Sequence, residues 1–214
     1  MEQNFTAERR LMVENQLRRR GISNRRVLEA FETIPRHLFV PEEHRHLAYE
    51  DSPLPIGFNQ TISQPFIVAY MTQLLELTGT ERVLEVGTGS GYQAAILSAL
   101  TAEVHTIELI PALAERARKT LEQIGVTNVS IHIGDGSLGW EQAAPYDAIL
   151  VAAAGPRVPK PLLDQLAEGG RMVLPVGQRG AQVLELWRRE GQNFSHETLL
   201  PVAFVPLRGK EGLK

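Results

Sequence analysis

From residue 80 onward the chain alternates short apolar runs with amphipathic stretches, and that alternation admits very few architectures. Runs at 82–86, 103–107, 129–133, 147–151 and 171–175 have the length and composition of buried strands, and helical periodicity fills 90–100, 111–124 and 159–167. Such a succession implies an α/β fold with a mainly parallel, doubly wound sheet, because a parallel strand pair needs a crossover and a helix is the usual one. Segments 183–187 and 198–205 have no helix between them and are joined through Glu190-Gly191-Gln192-Asn193. They are expected to close a seven-stranded sheet as an antiparallel pair.

Before residue 80 the pattern changes. Residues 6–20 carry Leu11, Met12, Val13 and Leu17 among arginines and predict an amphipathic helix ended by Gly21. A second helix begins after Ser23-Asn24 and stops at Pro35, with Val27, Leu28, Phe31 and Ile34 on one face. Residues 41–64 show no periodicity and hold Pro53, Pro55, Gly57, Asn59 and Gln60. An irregular loop of that length is often functional. Pro65 then opens an apolar helix running to Leu77. The expected organisation is a helical extension with an active-site loop over 1–80, packed on a core unit over 81–214, the two forming one structural unit.

The glycine-dense turn at Gly87-Thr88-Gly89-Ser90-Gly91 lies between the strand Val83-Leu84-Glu85-Val86 and the helix that follows. Glycines let backbone approach a ligand closely, and the helix start offers free N–H groups and a positive dipole end. A dinucleotide fingerprint, G-x-G-x-x-G, would need a glycine where this chain has Tyr92, which disfavours a nicotinamide cofactor. Glu108 closes the next strand at about the twenty-residue offset expected of a ribose-binding carboxylate. The turn therefore reads as a nucleotide-binding turn of the methyl-donor type.

With 214 residues, 43% hydrophobic and 22% charged, the chain has the composition of one soluble core. No apolar run reaches a membrane span and the start, Met1 to Arg10, is charged rather than a signal peptide, so a cytoplasmic protein without a membrane partner is expected. The absence of cysteine removes disulfides, thiolate metal sites and a cysteine nucleophile. His44 and His46 have no ligand cluster around them, and no metal is expected. His105 and His132, inside strands, read as packed or hydrogen-bonded, and Trp140 and Trp187 as packing anchors. A net charge of −3 gives no overall pull toward nucleic acid. Locally, Arg9, Arg10, Arg18, Arg19, Arg20, Arg25 and Arg26 face only Glu2, Glu8 and Glu14, which suits a solvated helix face or an RNA-contacting arm, the former being preferred.

Four segments give the sequence a resemblance to the protein-L-isoaspartate O-methyltransferase family, in its bacterial form, over nearly the whole chain. They are Asp51 to Gly57 running on through Gln60-Thr61-Ile62-Ser63-Gln64-Pro65, the glycine turn, Tyr146 to Val176, and Phe204-Val205-Pro206-Leu207. The glycine turn is shared by many methyltransferases, whereas Thr61-Ile62-Ser63-Gln64-Pro65 is characteristic of this family. The resemblance implies a Rossmann-like methyltransferase fold, S-adenosylmethionine as donor with S-adenosylhomocysteine as product, and isoaspartyl proteins and peptides as partners of a monomeric enzyme. It also implies that Gly87, Thr88, Gly89, Ser90 and Gly91 cradle the methionine part of the donor. Glu108 with Leu109 would take the ribose side and Asp135-Gly136 flank the adenine, while Gln60, Thr61, Ile62 and Ser63 touch the donor and Ser63 is the active-site serine. Ile56 and Gly57, with Phe204, Val205, Pro206 and Leu207, would lie along the substrate. At the C-terminus, Arg208-Gly209-Lys210-Glu211-Gly212 follows the bacterial pattern.

Read without the resemblance, several of these residues keep two explanations. Ser63 can donate to a carboxylate without adding negative charge, and Ser63 or Thr61 can cap the helix beginning near Pro65. Asp135 can accept from an adenine amino group, or Gly134-Asp135-Gly136 is only a turn. Ala152-Ala153-Ala154 leaves room for ligands or for close helix packing, and Phe204 to Leu207 is by itself an apolar strand. An RNA base methyltransferase would share the sheet and glycine turn but bind RNA in a salt-dependent way. A nonenzymatic donor-binding module would be indifferent to Ser63→Ala. A dehydrogenase lacks its third spaced glycine.

Overall fold

The structure, a computed structural model, describes residues 4–212; Glu2 of the N-terminal charge count and the first residues of the chain's start lie outside them. A small antiparallel hairpin, β1 (Leu54–Gly57) and β2 (Gln60–Ile62), precedes the main sheet. The sheet holds β3 (Arg82–Val86), β4 (Glu103–Glu108), β5 (Val129–Ile133), β6 (Tyr146–Val151), β7 (Leu166–Gln178), β8 (Ala181–Glu190) and β9 (Asn193–Val202). Their order is β5-β4-β3-β6-β7-β8-β9. The first five pair in parallel and β7-β8-β9 antiparallel, so the mainly parallel seven-stranded sheet read from the sequence is the one observed.

The chain order reverses next to β3, where β4 and β6 flank it. In an open parallel sheet this switch point leaves a crevice beyond the strand C-termini. β3 is buried on both faces: Leu84 and Val86 join a core with Ile107, Ile149 and Val151, while Val83 joins one with Val104 and Leu150. That second core also takes in Met12, Leu17, Phe31 and Phe39 from the N-terminal segment.

The helices are α1 (Phe5–Met12), α2 (Arg25–Thr33), α3 (Pro65–Leu74), α4 (Tyr92–Ser98), α5 (Pro111–Gln123) and α6 (Lys160–Asp164). The single helix expected over 6–20 is an α-helix only to Met12, then a π turn over Val13–Leu17 and a 3-10 turn over Arg18–Arg20, closed by Gly21 at φ +92°. Several arginines of the N-terminal segment are engaged within the fold, Arg25 with Glu29 at 2.6 Å among them. Arg20 pairs with Asp51 and lies over Phe66, Arg26 donates to the Leu77 and Leu100 carbonyls at 2.9 and 3.0 Å, and Arg18 pairs with Glu14.

Residues 41–64 correct the expectation of an irregular loop. They contain a 3-10 turn over Glu42–Leu47 and the β1-β2 hairpin, which turns through Phe58 and Asn59 at φ +53° and +56°. Positive φ at both central residues is the geometry of a type I′ hairpin, a turn normally signalled by Asn-Gly and here made with Phe at its first position. Other boundaries move as well, β8 and β9 being longer towards their shared turn than 183–187 and 198–205. α6 is shorter than 159–167 because β7 begins already at Leu166, and the last strand stops at Val202 rather than 205. Beyond it the chain leaves β8 and runs beside Ala154, whose N–H donates to Val205 O and whose carbonyl accepts from Leu207 N, both at 2.8 Å.

Candidate active site

β3 ends at Val86 and the chain turns over the end of β4, with Gly87 N and Thr88 N donating to Ile107 O at 2.9 and 3.2 Å. Gly87, Gly89 and Gly91 have φ of +96°, +53° and +86°, a region that L side chains rarely adopt. At Gly91 a Cβ would also stand 3.0 Å from that of Ala117 in α5. Tyr92 opens α4 just after it, and its ring packs edge-on against Phe31 and Phe39 at 5.9 and 5.5 Å. An N-terminal extension laid against α4 thus fills the place where a dinucleotide site has its third glycine.

Glu108 is held from both oxygens: Gly89 N donates to Oε2 at 2.8 Å and Ile110 N to Oε1 at 2.9 Å. A carboxylate oxygen can accept twice, so each keeps capacity for a second donor. Between this carboxylate and the glycine turn opens a cavity of about 1010 Å³, its mouth included, lined by Gly87, Thr88, Gly89, Ser90, Glu108, Leu109 and Gly136. At Gly136 a Cβ would meet Val86 Cγ1 at 2.6 Å, so any larger residue there would push into the wall. Backbone cradle, ribose-type acceptor and apolar flank together fit S-adenosylmethionine.

Gln60, Thr61, Ile62 and Ser63 form the opposite wall, and Phe204, Val205, Pro206 and Leu207 line the same cavity. A second cavity of about 930 Å³ adjoins it, lined by Pro53, Gln64 and Pro201 to Ala203. Thr61, Ser63, Ile67, Ala152, Phe204 and Val205 belong to both. Ser63 therefore stands at the junction of two spaces.

Neither Ser63 nor Thr61 caps α3. Asp51 does so from fifteen residues away, accepting from Phe66 N at 3.2 Å and from Gln64 Nε2 at 2.7 Å, while Arg20 secures the same carboxylate. The Ser63 hydroxyl has no hydrogen-bond partner among the described residues. Its carbonyl is held by Arg36, a fully buried residue that donates from Nη2 to Ser63 O and from Nε to Ala48 O, both at 2.8 Å. Burial pulls the Arg36 guanidinium down to about 10, well short of neutralising it at pH 7.

Four residues singled out in the sequence do not line either cavity: Ile56, Gly57, Gly91 and Asp135. Ile56 is buried beneath the hairpin, its carbonyl held by Arg116, and its Cδ1 lies 3.6 Å from where a Gly89 Cβ would be. Asp135 is occupied by its own chain. Oδ1 accepts from Ser137 N and Oγ at 2.9 and 2.6 Å, and Oδ2 from Lys210 N at 2.7 Å. Burial would raise this carboxyl, but these hydrogen bonds outweigh it and hold it below the usual range. The contact pins the C-terminal segment, and Arg208 comes to line the first cavity. Sequence reasoning missed Arg208, Ile67 and Arg36, whereas Ala152, read as leaving room for ligands or for close helix packing, lies in the wall that both cavities share. A lone arginine in a 3-10 turn carries no local mark of what it will touch.

His105 Nδ1 and His132 Nε2 are 3.0 Å apart, and His132 stacks on Trp140 at 4.0 Å, so these histidines are packed and hydrogen-bonded away from the cavity. Trp187 stacks on His196. Among the described residues no cluster of three or more metal-ligating side chains is present, and no helix is long and apolar enough to cross a membrane.

A seven-stranded sheet in this order, with a glycine turn at its switch point and an anchored carboxylate ending the next strand, defines an S-adenosylmethionine-dependent methyltransferase. Comparison with known proteins narrows the class. The profile of the protein-L-isoaspartate(D-aspartate) O-methyltransferase family matches residues 7–212. The chain is 56% identical over 209 residues to protein-L-isoaspartate O-methyltransferase 1 of Syntrophobacter fumaroxidans, covering 98% of each chain. It is 54% identical over 209 residues to the enzyme of Syntrophotalea carbinolica, covering 97% of this chain and 96% of that one. Among solved structures, a putative protein-L-isoaspartate O-methyltransferase from Plasmodium falciparum in complex with S-adenosyl-L-homocysteine superposes with a TM-score of 0.82. That match has 25% identity over 97% of this chain and 99% of the other. The chain belongs to the protein-L-isoaspartate(D-aspartate) O-methyltransferase family.

Proposed function

We propose that the protein repairs aged proteins by transferring a methyl group from S-adenosylmethionine to the free α-carboxylate of L-isoaspartyl residues, and of D-aspartyl residues as the family name allows. The observation that carries this reading is the junction of two cavities at a serine whose hydroxyl is unengaged. On this reading Gly87, Thr88, Gly89 and Ser90 hold the methionine part of the donor, Glu108 the ribose hydroxyls, and Leu109 and Gly136 the adenine. Gly91 and Asp135 act from behind the wall, as hinge of the turn and anchor of the C-terminal segment. Residues 1–80 supply the serine wall to a donor-binding unit formed by 81–214, and the shared hydrophobic core supports treating them as one unit.

When bound, the donor supplies a methyl group activated by its sulfonium. The acceptor carboxylate, which ordinarily titrates at about pH 4, is ionised at neutral pH, so the residues here need not remove a proton. Their task is alignment, for which effective molarities of about 10⁵ M or more are attainable. Ser63 donates to the acceptor carboxylate in the second cavity. Arg36 fixes the backbone from which that hydroxyl projects, and Phe204 and Val205 wall the second cavity beside it, held there by Gln182, which binds Phe204 N and O, and by Ala154, which binds Val205 O, with Ile56 and Gly57 supporting the hairpin opposite. Once esterified, the carbonyl is attacked by the neighbouring backbone amide nitrogen, methanol leaves with that nitrogen's proton, and the succinimide closes without further help from the protein. We further place the enzyme in the cytoplasm as a monomer acting on isoaspartyl proteins rather than on RNA or membranes.

The deciding experiment supplies labelled S-adenosylmethionine with two peptides that differ only in an isoaspartyl or a normal aspartyl linkage, and scores base-labile label. Label on the isoaspartyl peptide alone is expected; none on either, with donor still bound, would overturn the reading. Ser63→Ala is expected to lower kcat by about 10-fold, the worth of one hydrogen bond to a charged group, and to leave donor affinity within about twofold. Unchanged turnover in that variant would remove Ser63 from the reaction.

A further inference from the structure

Glu85 is an acid in the middle of the central strand and is fully buried. By strand alternation it shares a face with Val83, on the side that packs against α4 and the N-terminal helices. Its Oε2 lies 2.5 Å from Thr106 Oγ1, and Thr106 Oγ1 lies 2.7 Å from Thr88 Oγ1. Thr88 belongs to the glycine turn and lines the donor cavity. The other oxygen, Oε1, has no partner among the described residues. Three polar groups thus form a chain from a buried carboxyl to the cavity wall, and no part of the alignment mechanism above uses it.

The chain has two hydrogen-bond polarities. A proton on Oε1 would meet no acceptor, so a protonated Glu85 carries it on Oε2 and donates to Thr106, which donates to Thr88. Thr88 must then direct its own proton elsewhere. Once Glu85 is ionised the order reverses: Thr88 donates to Thr106, Thr106 donates to the carboxylate, and Thr88 Oγ1 keeps a free lone pair.

We propose that Glu85 sets the polarity of this two-threonine wire, and that a cationic donor is bound with release of the Glu85 proton to solvent, leaving Thr88 as an acceptor in the cavity wall. The inference rests on the donor reading above. An ammonium and a sulfonium in the cavity favour a nearby carboxylate over a neutral carboxyl, and by linkage the proton must leave as the cation enters. The resting state has the proton to give: burial raises the Glu85 carboxyl to about 8, against a weaker opposing effect of the Thr106 hydrogen bond. The charged and titratable groups on this side of the sheet are few. Glu108, on the same face of β4, pushes Glu85 up further. Tyr92 on α4 carries the buried Arg36 over its ring at 4.9 Å, and β6 presents Leu150 beside Glu85. Glu85 is a positioning residue, acting on the ligand through Thr106 and Thr88.

Calorimetric titration of the whole protein with S-adenosylmethionine, at pH 7 in buffers of different ionisation enthalpy, counts the protons released. About 0.5–1 proton per donor bound is expected for the wild type, and about none for Glu85→Gln, whose amide holds the wire in its protonated polarity. Wild-type affinity is expected to tighten about tenfold or more from pH 6 to pH 8, with a flatter profile in the variant. Thr106→Val, which cuts the wire and keeps the carboxyl, is expected to weaken donor binding while the fold survives. Should Glu85→Gln not fold, the carboxyl carbon of Glu85 in the wild type, followed by NMR, must shift from the acid to the carboxylate position on donor addition. Donor binding without proton release, equal release in Glu85→Gln, or an unmoved Glu85 carbon would each overturn this inference alone. No binding heat at all would overturn the donor reading and this inference with it.

Discussion

Glu108→Gln is expected to weaken S-adenosylmethionine binding by about 10²–10³-fold, corresponding to the loss of roughly 3–4 kcal/mol. Two effects add. The carboxylate accepts from Gly89 N and Ile110 N with one oxygen each. A glutamine can keep only one of these bonds, because its NH2 set against the second N–H is donor facing donor. The glycine turn then loses the tie that holds Gly89 in place. The variant also presents one acceptor where two ribose hydroxyls would each find one, and hydrogen bonds to a charged acceptor are worth about 1.5–3 kcal/mol apiece. Titration calorimetry measures the affinity directly, and a dissociation constant within about threefold of wild type would show that Glu108 does not carry the ribose.

Arg36→Met is expected to lower stability by about 3–5 kcal/mol, a fall in Tm of roughly 10 °C for a chain of this size. Exchanging a whole buried ion pair for apolar groups can be neutral, but Arg36 is not paired that way. It donates to two backbone carbonyls, Ala48 O and Ser63 O, and methionine would leave both without their donor. Arg36→Lys, with one compact ammonium, cannot reach both in the arginine's fork geometry and is expected to recover only part of the loss. At temperatures where the methionine variant is still folded, its kcat should fall with that of Ser63→Ala, since the serine's backbone is no longer held. Thermal denaturation with parallel assays tests both statements. Full stability in the methionine variant would refute the role of Arg36 as the strut beneath Ser63.

The parallel strands were readable because their signal is local. Val83 to Val86 or Ala148 to Val151 is buried on both faces, and a sheet covered on both faces needs unbroken apolar runs. Glu108 was readable for the same reason, since one β-α-β unit sets its distance from Gly87. The β1-β2 hairpin was not. Pro55 within β1 argues against a strand, and a turn with Phe58 at positive φ has no local sequence mark. Strand ends were also misplaced where a distant segment decides them, as at Val202, where the chain departs to pair with Ala154.

By itself, the sequence determined the sheet class, the glycine turn, the carboxylate that closes β4 and the family, because each is written in neighbouring residues through periodicity or a fixed short spacing. Only the tertiary structure decided that Asp51, and not Ser63, caps α3, that Asp135 is taken up by Lys210 seventy-five residues away, and that Arg36 holds Ser63 across twenty-seven. Side-chain partners of that kind depend on which loops meet after the core has formed. A buried polar group must then satisfy itself with whatever donors or acceptors the fold brings within about 3 Å.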